Sequence, residues 1–98
     1  MTVQSDLEGN EGKFLHRFVD FKNRRVLEVG CGEGRLTRKY ASPASRTIGV
    51  DTDRDALRVA SIDLPSDLAK KVRFVNSGAE KLPFRKETFD IAVLAWSL

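Results

Sequence analysis

The chain has 98 residues, enough for one domain at the short end of the usual range. Its 41% hydrophobic and 32% charged residues mark a globular protein rather than a disordered or membrane-spanning one. The longest apolar run, Ile91 to Trp96, is far too short to cross a bilayer. Met1 to Asp6 lack both the basic start and the apolar stretch of a signal peptide, so the expected compartment is the cytoplasm. Cys31 is the only cysteine, which excludes an intrachain disulfide. A net charge of +3 keeps nucleic acid open as a partner, but the Lys and Arg residues are spread along the chain and support it only weakly.

In chain order, residues 1–10 are polar and read as a flexible N-terminus, with residues 11–98 as the domain. Phe14, Leu15, Phe18 and Val19 recur at helical spacing and predict an amphipathic helix over about residues 11–21. Arg25 to Gly30 is a short β-branched run ending in glycine and predicts a buried strand. Gly34 to Tyr40 is helix-compatible, and Ser42-Pro43-Ala44-Ser45 ends it. Thr47 to Val50 predicts a second strand, closed by Asp51. Asp53 can cap a helix carrying Ala56, Leu57 and Ala60, bounded by Pro65. Val72 to Val75 and Phe89 to Ala95 predict the third and fourth strands. Strands alternating with helices imply right-handed crossovers and a parallel sheet, hence an α/β, Rossmann-like architecture.

The fourth strand is apolar on both faces and should be central, yet the sequence ends at Leu98 just after it. The chain therefore reads as part of a longer protein, as one that pairs with a second copy through the exposed fourth strand, or as one that leaves an apolar edge open.

Gly30-Cys31-Gly32-Glu33-Gly34 lies between the first strand and its helix, where glycine permits unusual backbone angles and lets a ligand approach the main chain. Alone, these glycines fit an ordinary tight turn equally well. Asp51 follows Gly30 by 21 residues. In nucleotide-binding units an acid about 20 residues on, at the end of the second strand, accepts hydrogen bonds from ribose hydroxyls. Arg35 stands where the dinucleotide fingerprint wants a third Gly or Ala, which disfavours an NAD-dependent enzyme. Glu28, just before the loop, suits a cationic ligand and would repel a phosphate. Its bland alternative is an acid paired with Arg24 or Arg25, and Cys31 reads as a small loop residue.

Val26-Leu27-Glu28-Val29-Gly30-Cys31-Gly32-Glu33-Gly34 resembles the first motif of class I S-adenosylmethionine-dependent methyltransferases, and Gly49-Val50-Asp51 resembles their second-strand acid motif. Ala79-Glu80-Lys81-Leu82-Pro83-Phe84 and Phe89-Asp90-Ile91-Ala92-Val93-Leu94 are similar to their third and fourth motifs. Order and spacing resemble the subgroup that includes quinone-biosynthesis-type, small-molecule methyltransferases. The likeness spans about residues 24–98. It implies a three-layer α/β/α fold with about four strands in the order 3-2-1-4, the N-terminal, cofactor-binding half of a truncated seven-stranded methyltransferase fold.

It also implies S-adenosylmethionine as cofactor, S-adenosylhomocysteine as product and a small-molecule acceptor, with catalysis by this stretch alone incomplete. A non-catalytic nucleotide-binding or dimerisation module is the alternative. By the same resemblance Glu28, Gly30 and Gly32 line the methionine side of the site, Cys31 and Gly34 belong to the same cofactor-binding loop, and Asp51 holds the ribose diol. Thr52 lies against the adenine, and Ala79, followed by Glu80, offers its backbone N–H to that ring. Ala95 and Trp96 border the methyl group and the acceptor. Two features depart from the pattern: Gly78 stands where the family often has Asp, and only about four of seven strands are present.

Overall fold

The computed structural model describes residues 2–4, 19–78 and 88–95. The elements are β1 (Thr2–Gln4), β2 (Arg25–Val29), α1 (Thr37–Tyr40), β3 (Arg46–Asp51), α2 (Arg54–Asp63), a 3-10 turn (Ser66–Leu68), β4 (Val72–Asn76) and β5 (Ile91–Leu94). The strands form one sheet in the order β1-β5-β2-β3-β4, and every pairing is parallel. The four expected strands thus keep the order 3-2-1-4.

The N-terminus departs from expectation. Thr2–Gln4 is not a frayed tail but a strand, in register with Ala92, Val93 and Leu94. A free strand edge presents unpaired N–H and C=O groups, and even a three-residue segment with β-branched members can satisfy them. The last expected strand is therefore flanked on both sides, by β1 and β2, and is not an edge on which a second copy would pair. It is also shorter than the apolar run Phe89 to Ala95 suggested, although Asp90 N–H to Arg25 O (2.8 Å) and Ala95 N–H to Val29 O (2.8 Å) extend its pairing one residue each way.

Residues 11–18 of the expected first helix, His16 included, lie outside the described residues. Its end is irregular, with Val19 and Phe21 buried against the sheet. Alternation along β2 sends Val26 and Glu28 to one face and Leu27 and Val29 to the other. Val26 packs with Val19, Phe21, Leu36, Tyr40, Ala44, Ile91 and Val93, and the Phe21 and Tyr40 rings stack at 4.7 Å. Leu27, Ile48 and Val50 form the opposite core with Val29, Val75 and Phe89. Helix α2 begins as expected: the Asp53 carboxylate accepts from the Asp55 and Ala56 N–H groups at 3.1 Å, satisfying two donors that a helix start leaves orphaned.

Candidate functional site

The carboxyl ends of β2 and β3 define the site. Gly30 and Cys31 N–H both bond Val50 O (2.8 and 3.1 Å), which ties the loop's first turn to β3. Gly30, Gly32 and Gly34 have φ of 79°, 54° and 81°, in the left-handed region that L side chains rarely adopt. Gly32 faces open space: a Cβ there would meet nothing within 4 Å. Gly34 instead lies behind the loop, where a Cβ would sit 3.2 Å from the Ala60 Cβ, so it is the glycine that lets loop and α2 pack together.

Asp51 closes β3. Its Oδ2 accepts the Gly32 N–H and its Oδ1 the Asp53 N–H, both at 2.8 Å. Each carboxylate oxygen has a second lone pair, so the side chain is held in place and still able to accept from a ligand. Asn76 and the Ser77 N–H both bond the Asp51 carbonyl at 3.0 Å, fixing its backbone.

Glu28 is completely buried. Its Oε1 accepts the Thr37 and Tyr40 hydroxyls, both at 2.6 Å, and its Oε2 has no partner among the described residues. Burial raises its pKa to about 7; the two hydroxyl bonds and the Arg35 charge oppose the rise, and the Asp51 charge adds to it. The alternative pairing with Arg24 or Arg25 is not made. Arg25 instead holds Asp90 (3.2 Å), and that hydrogen-bonded partnership keeps the Asp90 carboxyl at about 2. Cys31 is buried, and burial drives its thiol far upward, away from the thiolate a nucleophile needs.

These groups enclose a cavity of about 420 Å³, within the range of small-molecule sites. Of the expected residues, Glu28, Gly30, Cys31, Gly32, Asp51 and Ala95 line it, and Gly34 and Thr52 do not. Ala79, Glu80 and Trp96 lie outside the described residues. The wall also includes Glu33, Arg35, Leu36, Asp53 and Ala56. Sequence reading missed Thr37 and Tyr40, whose spacing of 9 and 12 residues from Glu28 carries no local signal. It also missed Gly49: a Cβ there would lie 2.9 Å from the Cys31 Sγ, so its bare backbone makes room for the loop.

A sequence profile described as "Methyltransferase domain" matches residues 26–98. The chain belongs to this methyltransferase domain family. It is 38% identical over 78 residues to a ubiquinone/menaquinone biosynthesis C-methyltransferase, UbiE, of Ectopseudomonas mendocina, a match covering 76% of this chain and 30% of that protein. It is 28% identical over 89 residues to the demethylmenaquinone methyltransferase of Lactococcus lactis, covering 88% and 35%. Among solved structures, the YcgJ protein from Bacillus subtilis superposes with a TM-score of 0.74 at 30% identity, covering 85% of this chain and 36% of that one. The chain spans about a third of the length of the curated relatives it matches. None of the helices among the described residues is long and apolar enough to cross a membrane. Those residues hold no group of His, Cys, Asp and Glu that could bind a metal ion.

Proposed function

We propose that this chain carries the cofactor-binding part of an S-adenosylmethionine-dependent methyltransferase that acts on a small-molecule acceptor. The carrying observation is the cavity's donor set. A half-buried Asp51 with acceptor capacity to spare meets an open Gly32 and a buried Glu28 with an unpartnered oxygen. That set fits the cofactor. Asp51 can accept from the ribose diol, the bare loop admits a chain close to its backbone, and Glu28 suits the cationic methionine end. Among the described residues, four carboxylates (Glu28, Glu33, Asp51 and Asp53) and one cation (Arg35) line the wall, a balance that favours a cation over a pyrophosphate.

S-adenosylmethionine supplies a methyl group activated on a sulfonium sulfur. The protein's part is to hold donor and acceptor in line, an entropic contribution that can reach several kcal/mol. On this reading Gly30, Cys31 and Gly32 take the methionine side, Thr52, Ala79 and Glu80 the adenine, and Ala95 and Trp96 the methyl and acceptor. A relative named for ubiquinone/menaquinone biosynthesis supports a small acceptor of quinone-like chemistry. Calorimetric titration of S-adenosylmethionine into the 98-residue chain tests the reading. Binding is expected in the wild type, with at least a tenfold loss in Asp51→Ala and none detectable for NAD. A folded chain that binds no S-adenosylmethionine, or binds it equally well without the Asp51 carboxylate, refutes it.

A further inference from the structure

Glu28 presents an unusual arrangement. Both short hydroxyl bonds converge on one oxygen, Oε1, and the other, Oε2, has no partner among the described residues although the residue is fully buried and lines the cavity. A carboxylate oxygen sealed from water without a donor is costly, and a proton, a cation or another hydrogen-bond donor relieves it. The surroundings favour an exchangeable partner over a permanent one. From α1 the group sees Thr37 and Tyr40, neutral donors, with the Tyr40 phenol pushed well above its ordinary range by burial. From the loop it sees the Cys31 thiol, also raised by burial, and the Arg35 charge, and from β3 the Asp51 charge. Its strand neighbours in register, Gly49 and Val93, bring no charge.

We propose that Glu28 exchanges a proton on Oε2 for the ammonium group of the bound ligand's amino-acid end, so that capture releases one proton to solvent. Thr37 and Tyr40 are the positioning residues: by saturating Oε1 they leave Oε2 to meet the ligand. The Oε2–H bond breaks, its proton passes to water, and an N–H of the ammonium hydrogen-bonds to the carboxylate in its place. The inference rests on the cofactor reading above and deepens it. Below neutral pH the ligand must displace a proton, so affinity rises with pH and then levels off as Glu28 becomes ionised in the free chain as well.

Calorimetry of the 98-residue chain in two buffers of different ionisation enthalpy measures the released proton directly. At pH 6 close to one proton is expected per S-adenosylmethionine bound, falling towards zero well above pH 7. Between pH 5 and 6 affinity should rise close to tenfold. S-adenosylhomocysteine keeps the ammonium and lacks the sulfonium charge, so it should release the same proton; methylthioadenosine lacks the ammonium and should release none. Glu28→Gln should bind more weakly, with no proton release and a flat pH profile. Tyr40→Phe removes one donor to the carboxylate and should move the midpoint to higher pH, a shift that loss of packing alone would not produce. Binding at pH 6 without proton release by the wild type overturns the proposal while leaving the cofactor reading intact. So does equal release with methylthioadenosine, or an unmoved midpoint in a folded Tyr40→Phe. Absence of binding at every pH by folded wild type refutes the cofactor reading itself, and the proposal with it.

Discussion

Replacing Gly49 by alanine tests whether the glycine loop is seated on β3 as described. The added methyl would lie 2.9 Å from the Cys31 Sγ, 3.0 Å from the Phe74 Cδ1 and 3.1 Å from the Cys31 Cβ, three contacts closer than real Cβ atoms normally make. Overpacking of this kind costs about 1–3 kcal/mol. Alanine recovers roughly 0.5–1 kcal/mol through its smaller loss of backbone freedom, so the net destabilisation should be about 1–2 kcal/mol. For a chain of this size, whose total stability is on the order of 5–15 kcal/mol, that is a readily measured fraction.

Urea denaturation followed by circular dichroism gives the number, and a double-mutant cycle assigns its cause. In a Cys31→Ala background the closest contact is gone and the Cys31 Cβ and Phe74 contacts remain, so the Gly49→Ala cost should shrink by about 1 kcal/mol. Cys31 N–H bonds Val50 O, so displacing Cys31 also disturbs the loop, and S-adenosylmethionine affinity should fall with stability. A Gly49→Ala chain as stable as wild type, or an identical cost in both backgrounds, would refute this account of the loop's seat.

Glu28 should also shape the pH dependence of folding. Its pKa is raised from 4.5 to about 7, so below pH 4.5 both folded and unfolded chains carry the proton. Between pH 4.5 and about 7 only the unfolded chain releases it, and stability falls as pH rises, by about 3 kcal/mol in total before levelling off. The difference between wild type and Glu28→Gln, measured by denaturation across pH 4.5–8, should show that slope; parallel curves would contradict it. Asp53→Ala removes the acceptor for two helix-start N–H groups and should lower stability by about 1 kcal/mol, with Asp53→Asn close to wild type in thermal melts.

Much of this site was legible because its signals are local. A glycine loop between strand and helix, and an acid closing the next strand, are short-range patterns with a mechanical reason. The structure brings Gly30, Gly32 and Asp51 to one cavity, with Gly32 donating to Asp51 across 19 residues of sequence. The Asp53 cap was equally readable, since capping involves only the next three residues. The partner of Glu28 was not. Arg24 and Arg25 are close in sequence, yet strand alternation turns Glu28 into the core beneath α1, where the Thr37 and Tyr40 hydroxyls bond it. Arg25, exposed at the strand's start, meets Asp90 65 residues away.

The sequence by itself determined the alternation of strands and helices, the parallel sheet, the loop that needs glycine and the acid that closes β3. These follow from hydrophobic period, backbone sterics and capping, all of which act within a few residues. Only the tertiary structure decided that Thr2–Gln4 pairs with β5, that Gly49 leaves space for Cys31, and that among the described residues one oxygen of Glu28 takes two hydroxyl bonds and the other none. Each of those depends on which atoms meet across the sheet and between layers. A strand edge accepts any short extended segment, a missing Cβ matters only when another side chain needs its place, and a buried carboxylate takes its character from groups the fold brings to it.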